Sequence, residues 1–123
     1  MKQPGFLQSL TYAWSGLVMT FRTQRNARIH TIVGFLVLAA AAFLRLEWLQ
    51  AGVLVLTIGA VLAAETINTT VEAIVDLLSP EWHQRAKVAK DTSAAAVLIM
   101  SLTAIVVGML ILGPPLWARI AGG

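Results

Sequence analysis

The chain has 123 residues, of which 58% are hydrophobic and 12% charged, with a formal net charge of +3 at pH 7. A soluble domain is about 45–50% apolar and about 25% charged, so an ordinary soluble globule lacks the charge to cover its exterior, and disorder by low hydrophobicity is excluded. The class left is an all-α integral membrane protein with room for three spans of about 20 residues each.

Residues 5–22 predict an amphipathic surface helix. Phe6, Leu10, Ala13, Trp14, Leu17 and Phe21 recur at three- and four-residue spacing and share one face. Tyr12 and Trp14 suit the headgroup zone of a bilayer. A helix packed on a partner protein is the alternative. No short apolar core ending in a small-residue cleavage site precedes it, so a signal peptide is not expected. Three apolar stretches follow, giving expected spans at about 29–49 (or 29–44, unless Arg45 and Glu47 sit at the interface), 51–78 and 92–113 in a single domain over 1–123. Gly113-Pro114-Pro115 predicts the end of the third helix, because proline removes a donor and clashes with the preceding turn.

Of the nine Lys and Arg residues, Lys2, Arg22, Arg25 and Arg28 precede the first span, and Arg85, Lys87 and Lys90 lie between the second and third. The positive-inside rule then places the N-terminus and the 79–91 segment in the cytoplasm. The same rule accounts for the basic excess without a nucleic-acid partner. The absence of cysteine removes disulfides, thiolate metal sites and cysteine nucleophiles.

The chemistry gathers at one end of the second span. A helix over 51–78 is roughly 42 Å long at 1.5 Å per residue, against a hydrocarbon core of about 30 Å. It therefore projects into the cytoplasm, with Glu65 near the inner hydrocarbon edge. Glu65, Asn68, Glu72 and Asp76 lie at i, i+3, i+7 and i+11 and form one stripe. A carboxylate at membrane depth costs several kcal/mol unless it is paired or faces a polar cavity. Three carboxylates in line also repel one another, and hard oxygen donors suit Mg²⁺ carrying phosphate. The basic segment from His83 to Lys90 follows directly, and the combination suggests phosphoryl transfer. The plainer reading is a solvated helix end whose acids pair with Arg25, Arg28 or Lys90. There is neither a Walker A pattern nor a G-x-G-x-x-G run.

At these residues the sequence resembles the small prokaryotic lipid kinases of the diacylglycerol kinase/undecaprenol kinase family. The resemblance runs from about Phe6 to Leu112. Its most specific parts are Glu65-x-x-Asn68-Thr69-x-x-Glu72-x-x-x-Asp76, His83-x-x-Ala86-Lys87-x-Ala89-Lys90-Asp91 and Ala94-Ala95-Ala96-Val97-Leu98. Upstream, Asn26-x-Arg28-Ile29-His30 looks like the undecaprenol-type branch.

The resemblance implies a homotrimer in the bacterial cytoplasmic membrane, with active sites between protomers at the inner face. The reaction it implies moves phosphate from Mg·ATP to a membrane lipid alcohol, undecaprenol or diacylglycerol. By position, Glu65 looks like the general base, Glu72 a magnesium ligand and Asn68 a positioning group, with Asp76 in support. Lys90 and Asp91 would lie near the phosphates. Tyr12, Trp82 and His83 would line the nucleotide, and Arg28 and Trp14 would contact lipid or the interface. Gln24 stands where the family usually has Glu, as a second magnesium ligand. A neutral amide there removes a charge and lowers the expected metal affinity. Gln84 and Ala95 replace a common proline and a common glycine. An intramembrane Glu65 also fits a small ion-coupled transporter, and Gln24 fits a catalytically inactive scaffold.

Overall fold

The computed structural model describes residues 4–122. It contains four helices, α1 (Phe6–Thr23), α2 (Arg25–Phe43), α3 (Trp48–Leu78) and α4 (Gln84–Ala121), and no strand among the described residues. The last three are long and apolar enough to cross a membrane. The all-α, three-span architecture and the preceding surface-type helix follow the sequence pattern closely; α1 leaves Phe6, Leu7, Leu10, Trp14 and Met19 exposed and buries only Thr20.

Helix α3 is the centre of the bundle, packed on α4 along much of its length and on α2, while α2 and α4 barely meet. The core is thin: Ala27, Ala41, Leu54, Val61 and Val97 are its buried apolar members. Large side chains such as Leu36, Leu56, Ile99 and Leu110 point outward, as expected where lipid replaces water as the solvent. Three polar residues are also buried, Thr20, Glu65 and Asn68. All three lie toward the end of the bundle where α1 joins.

Small residues set the closest approaches. A Cβ on Gly34 would lie 2.9 Å from Ile58 Cγ2, so glycine is what lets α2 sit against α3 there. Leucine at this position gains about 1 kcal/mol of helix propensity but must displace the branched side chain of Ile58, and overpacking of this kind costs about 1–3 kcal/mol. Gly34→Leu is expected to lower the thermal midpoint measured in detergent, and adding Ile58→Ala should recover part of the loss.

The helix bounds correct the sequence reading in three places. The first span begins at Arg25, before Ile29, and ends at Phe43, close to the Leu44 end of the apolar run and short of residue 49. The helix stops there because the α2 C-terminus closes on itself, with Arg45 N donating to Ala42 O and Leu46 N to Ala41 O, both at 3.1 Å. This is the Schellman pattern. Arg45 takes the left-handed position (φ 53°) usually given to glycine. Second, the 79–91 segment is mostly helical, since α4 starts at Gln84 and carries Arg85, Lys87 and Lys90. Gln84 is the first helical residue, where proline is also favoured because the N–H has no intrahelical acceptor.

Third, Gly113-Pro114-Pro115 does not end α4, which continues to Ala121. Pro114 lies 22 residues past Thr92 (114 − 92), about 33 Å along the axis. A hydrocarbon core of about 30 Å that began near Thr92 would end near the pair, where interfacial water can serve the carbonyls left without donors. Continuing the helix forfeits two hydrogen bonds, whereas reversing the chain there would expose a whole turn of backbone.

Candidate active site

A one-residue corner positions the first site group. Gln24 is at once the C-terminal cap of α1 and the N-terminal cap of α2, with extended backbone (φ −102°, ψ 113°). Its N–H donates to Thr20 O at 2.8 Å. Arg28 Nη1, one turn into α2, donates to the carbonyls of Phe21 and Arg22, each at 3.2 Å. These are orphan acceptors at the end of α1, so Arg28 clamps the corner. Buried Thr20 and Ala27 keep it close to the bundle. The Gln24 side chain is thereby directed at α3, where its Nε2 donates to Glu72 Oε2 at 2.7 Å.

The α3 stripe resolves into three environments. Glu65 is 2% exposed. Its Oε1 faces His30 Nδ1 of α2 at 2.9 Å. The approach lies outside hydrogen-bond angles, and neither atom has a hydrogen-bond partner among the described residues. One turn on, Asn68 Nδ2 donates to Glu72 Oε1 at 3.2 Å. Glu72, half-buried, thus receives an amide on each carboxylate oxygen. Asp76 is exposed and pairs with Lys90 of α4, Nζ to Oδ1 at 2.5 Å. This is the pairing with Lys90 that a solvated helix end would make, and an exposed pair of this kind contributes about 0–1 kcal/mol.

Helix α4 closes the other side. Ser93 Oγ lies 2.6 Å from Asn68 Oδ1 and 3.0 Å from Lys90 O, and its single hydrogen serves one acceptor at a time. Ser101 Oγ donates to Val97 O and sits 3.4 Å from His30 Nε2. Neither serine was singled out in the sequence. The signal was present: Ser93, Val97 and Ser101 are four apart and share one face of α4. A cavity of about 320 Å³ is lined by Glu65, Asn68, His30, Ser101 and Asn26, with Ala94, Val97 and Leu98.

Gln24, Asn68 and Glu72 are thus hydrogen-bonded together, with the Asp76–Lys90 pair at the edge and Ser93 between Asn68 and the Lys90 backbone carbonyl. Other expected residues stand apart. Asp91 pairs with Lys87 on its own helix rather than with Lys90. His83 caps α4, its Nδ1 accepting from Arg85 N at 3.1 Å. Tyr12, Trp14 and Trp82 are 64%, 69% and 78% exposed. Arg28 is occupied with the corner.

Among the described residues no three His, Asp or Glu side chains converge as a metal cage. Mg²⁺ rarely needs one: one or two carboxylates plus substrate phosphates suffice. Glu72 would supply the carboxylate, and Gln24 and Asn68, whose amide nitrogens face it here, would each turn an amide oxygen toward the same point. The donor set is all oxygen and fits the ion.

Residues 11–112 match the model of the family described as prokaryotic diacylglycerol kinase. The chain belongs to this family. Its relatives include a diacylglycerol kinase of Synechocystis, 46% identical over 114 residues, which cover 92% of this chain and 65% of that protein. The chain therefore spans just under two thirds of that relative. The undecaprenol kinase of Bacillus subtilis is 33% identical, with 90% of each chain covered. The diacylglycerol kinase of Escherichia coli is 26% identical, with 86% of this chain and 87% of that protein covered. Gln24, Glu65, Asn68 and Glu72, at one end of the bundle, all lie within the matched residues 11–112.

Proposed function

We propose that the chain is a lipid kinase, moving the γ-phosphoryl group of ATP to the hydroxyl of undecaprenol or diacylglycerol. The observation that carries the reading is the spacing of two different carboxylates on one helix. Glu65 is buried beside a cavity, and Glu72 lies seven residues on, about 10 Å along the axis. A lipid hydroxyl arrives from the bilayer and ATP from water, so the two must meet at such a boundary.

Glu65 takes the hydroxyl proton as the lipid oxygen bonds to the γ-phosphorus and the bond to the ADP oxygen breaks. Glu72, with the amide oxygens of Gln24 and Asn68, would hold Mg²⁺. When bound, the ion neutralises phosphate charge in the transition state. Lys90, released from Asp76, reaches the phosphates as a mobile cation. Positioning and charge neutralisation supply most of the rate.

The chain acts as one membrane domain over 1–123, in the bacterial cytoplasmic membrane with the N-terminus inside. The clustering of Arg22, Arg25, Arg28, Arg85, Lys87 and Lys90 at the site end supports that orientation. A homotrimer is supported by the position of Tyr12, Trp82 and Asp91. They lie outside the Gln24–Glu72 cluster of their own chain, where a neighbouring copy could bring equivalent residues to it.

The test is phosphate transfer from labelled ATP by the purified protein in mixed micelles, with Mg²⁺ and with undecaprenol or diacylglycerol in parallel. Label is expected in at least one lipid and absent without Mg²⁺. No transfer to either lipid would remove the reading.

A further inference from the structure

Glu65 is nearly sealed from solvent, and a carboxylate held only by apolar neighbours is free to rotate away from its substrate. Its cross-helix polar contact is His30 Nδ1 at 2.9 Å, from α2. The ring is backed on its other side by Ser101 Oγ of α4, 3.4 Å from Nε2. Three helices thus converge on one imidazole, with Glu65 in front and Ser101 behind.

The position of the ring is as telling as its contacts. Two cavities meet at it. One, of about 390 Å³, is lined mainly by apolar residues, including Val37, Leu54 and Ile105. The other, of about 320 Å³, holds Glu65 and Asn68. His30 and Ser101 line both. The imidazole therefore sits where the hydrocarbon-like interior gives way to the carboxylate.

We propose that His30 is a positioning residue for Glu65, its Nδ1–H fixing Oε1 so that Oε2 meets the lipid hydroxyl. This rests on the reading of Glu65 as the base. A hydrogen facing the carboxylate is the arrangement that makes the contact attractive, since a bare ring nitrogen would repel it. Catalytic hydrogen bonds are often poorly aligned outside the reacting complex and tighten within it. Among the described residues the polar contacts of His30 are with Glu65 and Ser101, and it makes no hydrogen bond to Glu72 or Gln24. Its effect should therefore appear in turnover and not in affinity for either substrate.

The experiment compares His30→Leu, His30→Asn, His30→Gln and Glu65→Gln in the micelle assay, using whichever of undecaprenol and diacylglycerol the native protein phosphorylates faster. Asparagine places an amide N–H near the position of Nδ1, whereas glutamine places it nearer Nε2. His30→Leu is expected to lower kcat about 10- to 100-fold, the usual loss when a group that orients another is removed, with KM for lipid and ATP within about twofold. His30→Asn should return to within about threefold of native, and His30→Gln should stay with His30→Leu. A purely packing role would make Leu the milder substitution and Asn the worse one. Native kcat in His30→Leu, or His30→Asn no better than His30→Leu, overturns the proposal if Glu65→Gln is inactive. Activity in Glu65→Gln overturns the base reading itself, and the role of His30 with it.

Discussion

Glu65→Gln is expected to reduce phosphate transfer to the lipid by roughly 10²–10⁴-fold, the range general-base catalysis supplies. The amide keeps the shape of the carboxylate and a carbonyl oxygen for His30, but it has no useful basicity. Glu65 is 2% exposed, so a change that merely disturbed packing would also be felt there. The two effects separate by stability. The neutral amide removes a buried charge, and the variant should melt in detergent at or above the native temperature. Loss of activity with unchanged Mg²⁺ and ATP requirements assigns the defect to proton removal. Transfer that survives the substitution undiminished would eliminate Glu65 as the base.

How far the sequence reached can be judged residue by residue. The stripe from Glu65 to Asp76 was legible because helical spacing alone fixes which residues share a face, and α3 runs unbroken over all of them. The placement of Gln24 was legible only through resemblance. What directs it at Glu72 is a one-residue corner held by Arg28, and no local propensity announces that a chain will turn at a glutamine. Ser93 and Ser101 were missed because their four-residue spacing marks a shared face of α4 but not what that face meets until α3 and α2 are packed against it. The prolines of α4 misled for a physical reason: their penalty is set by whether freed carbonyls can find another donor, and that depends on depth in the membrane. Asp76 belonged to the stripe by spacing but not by environment, because α4 brings Lys90 to it.

Glu72 and Gln24 give the second large effect. Glu72→Gln removes the one carboxylate that two amides converge on, leaving Gln24 Nε2 and Asn68 Nδ2, now 2.7 and 3.2 Å from its oxygens, facing a neutral group. An ion that neutralises phosphate in the transition state is worth several kcal/mol, so the variant is expected to lose about 10²–10³-fold in kcat/KM for Mg·ATP, or about 3–4 kcal/mol. Excess Mg²⁺ should restore part of it, which separates weak metal binding from a misplaced chain. The complementary change is Gln24→Glu. It sets a second carboxylate within about 3 Å of Glu72, where two like charges repel unless a cation lies between them. Without Mg²⁺ this variant should melt below the native protein. With Mg²⁺ it should melt at or above it, and the Mg²⁺ concentration for half-maximal transfer should fall about tenfold. The sign reversal is the decisive readout, because only a cation bound between residues 24 and 72 turns that repulsion into attraction. Lower stability at every Mg²⁺ concentration, with no change in metal requirement, would mean that Gln24 serves to hold the α1–α2 corner against α3 and that the ion binds elsewhere.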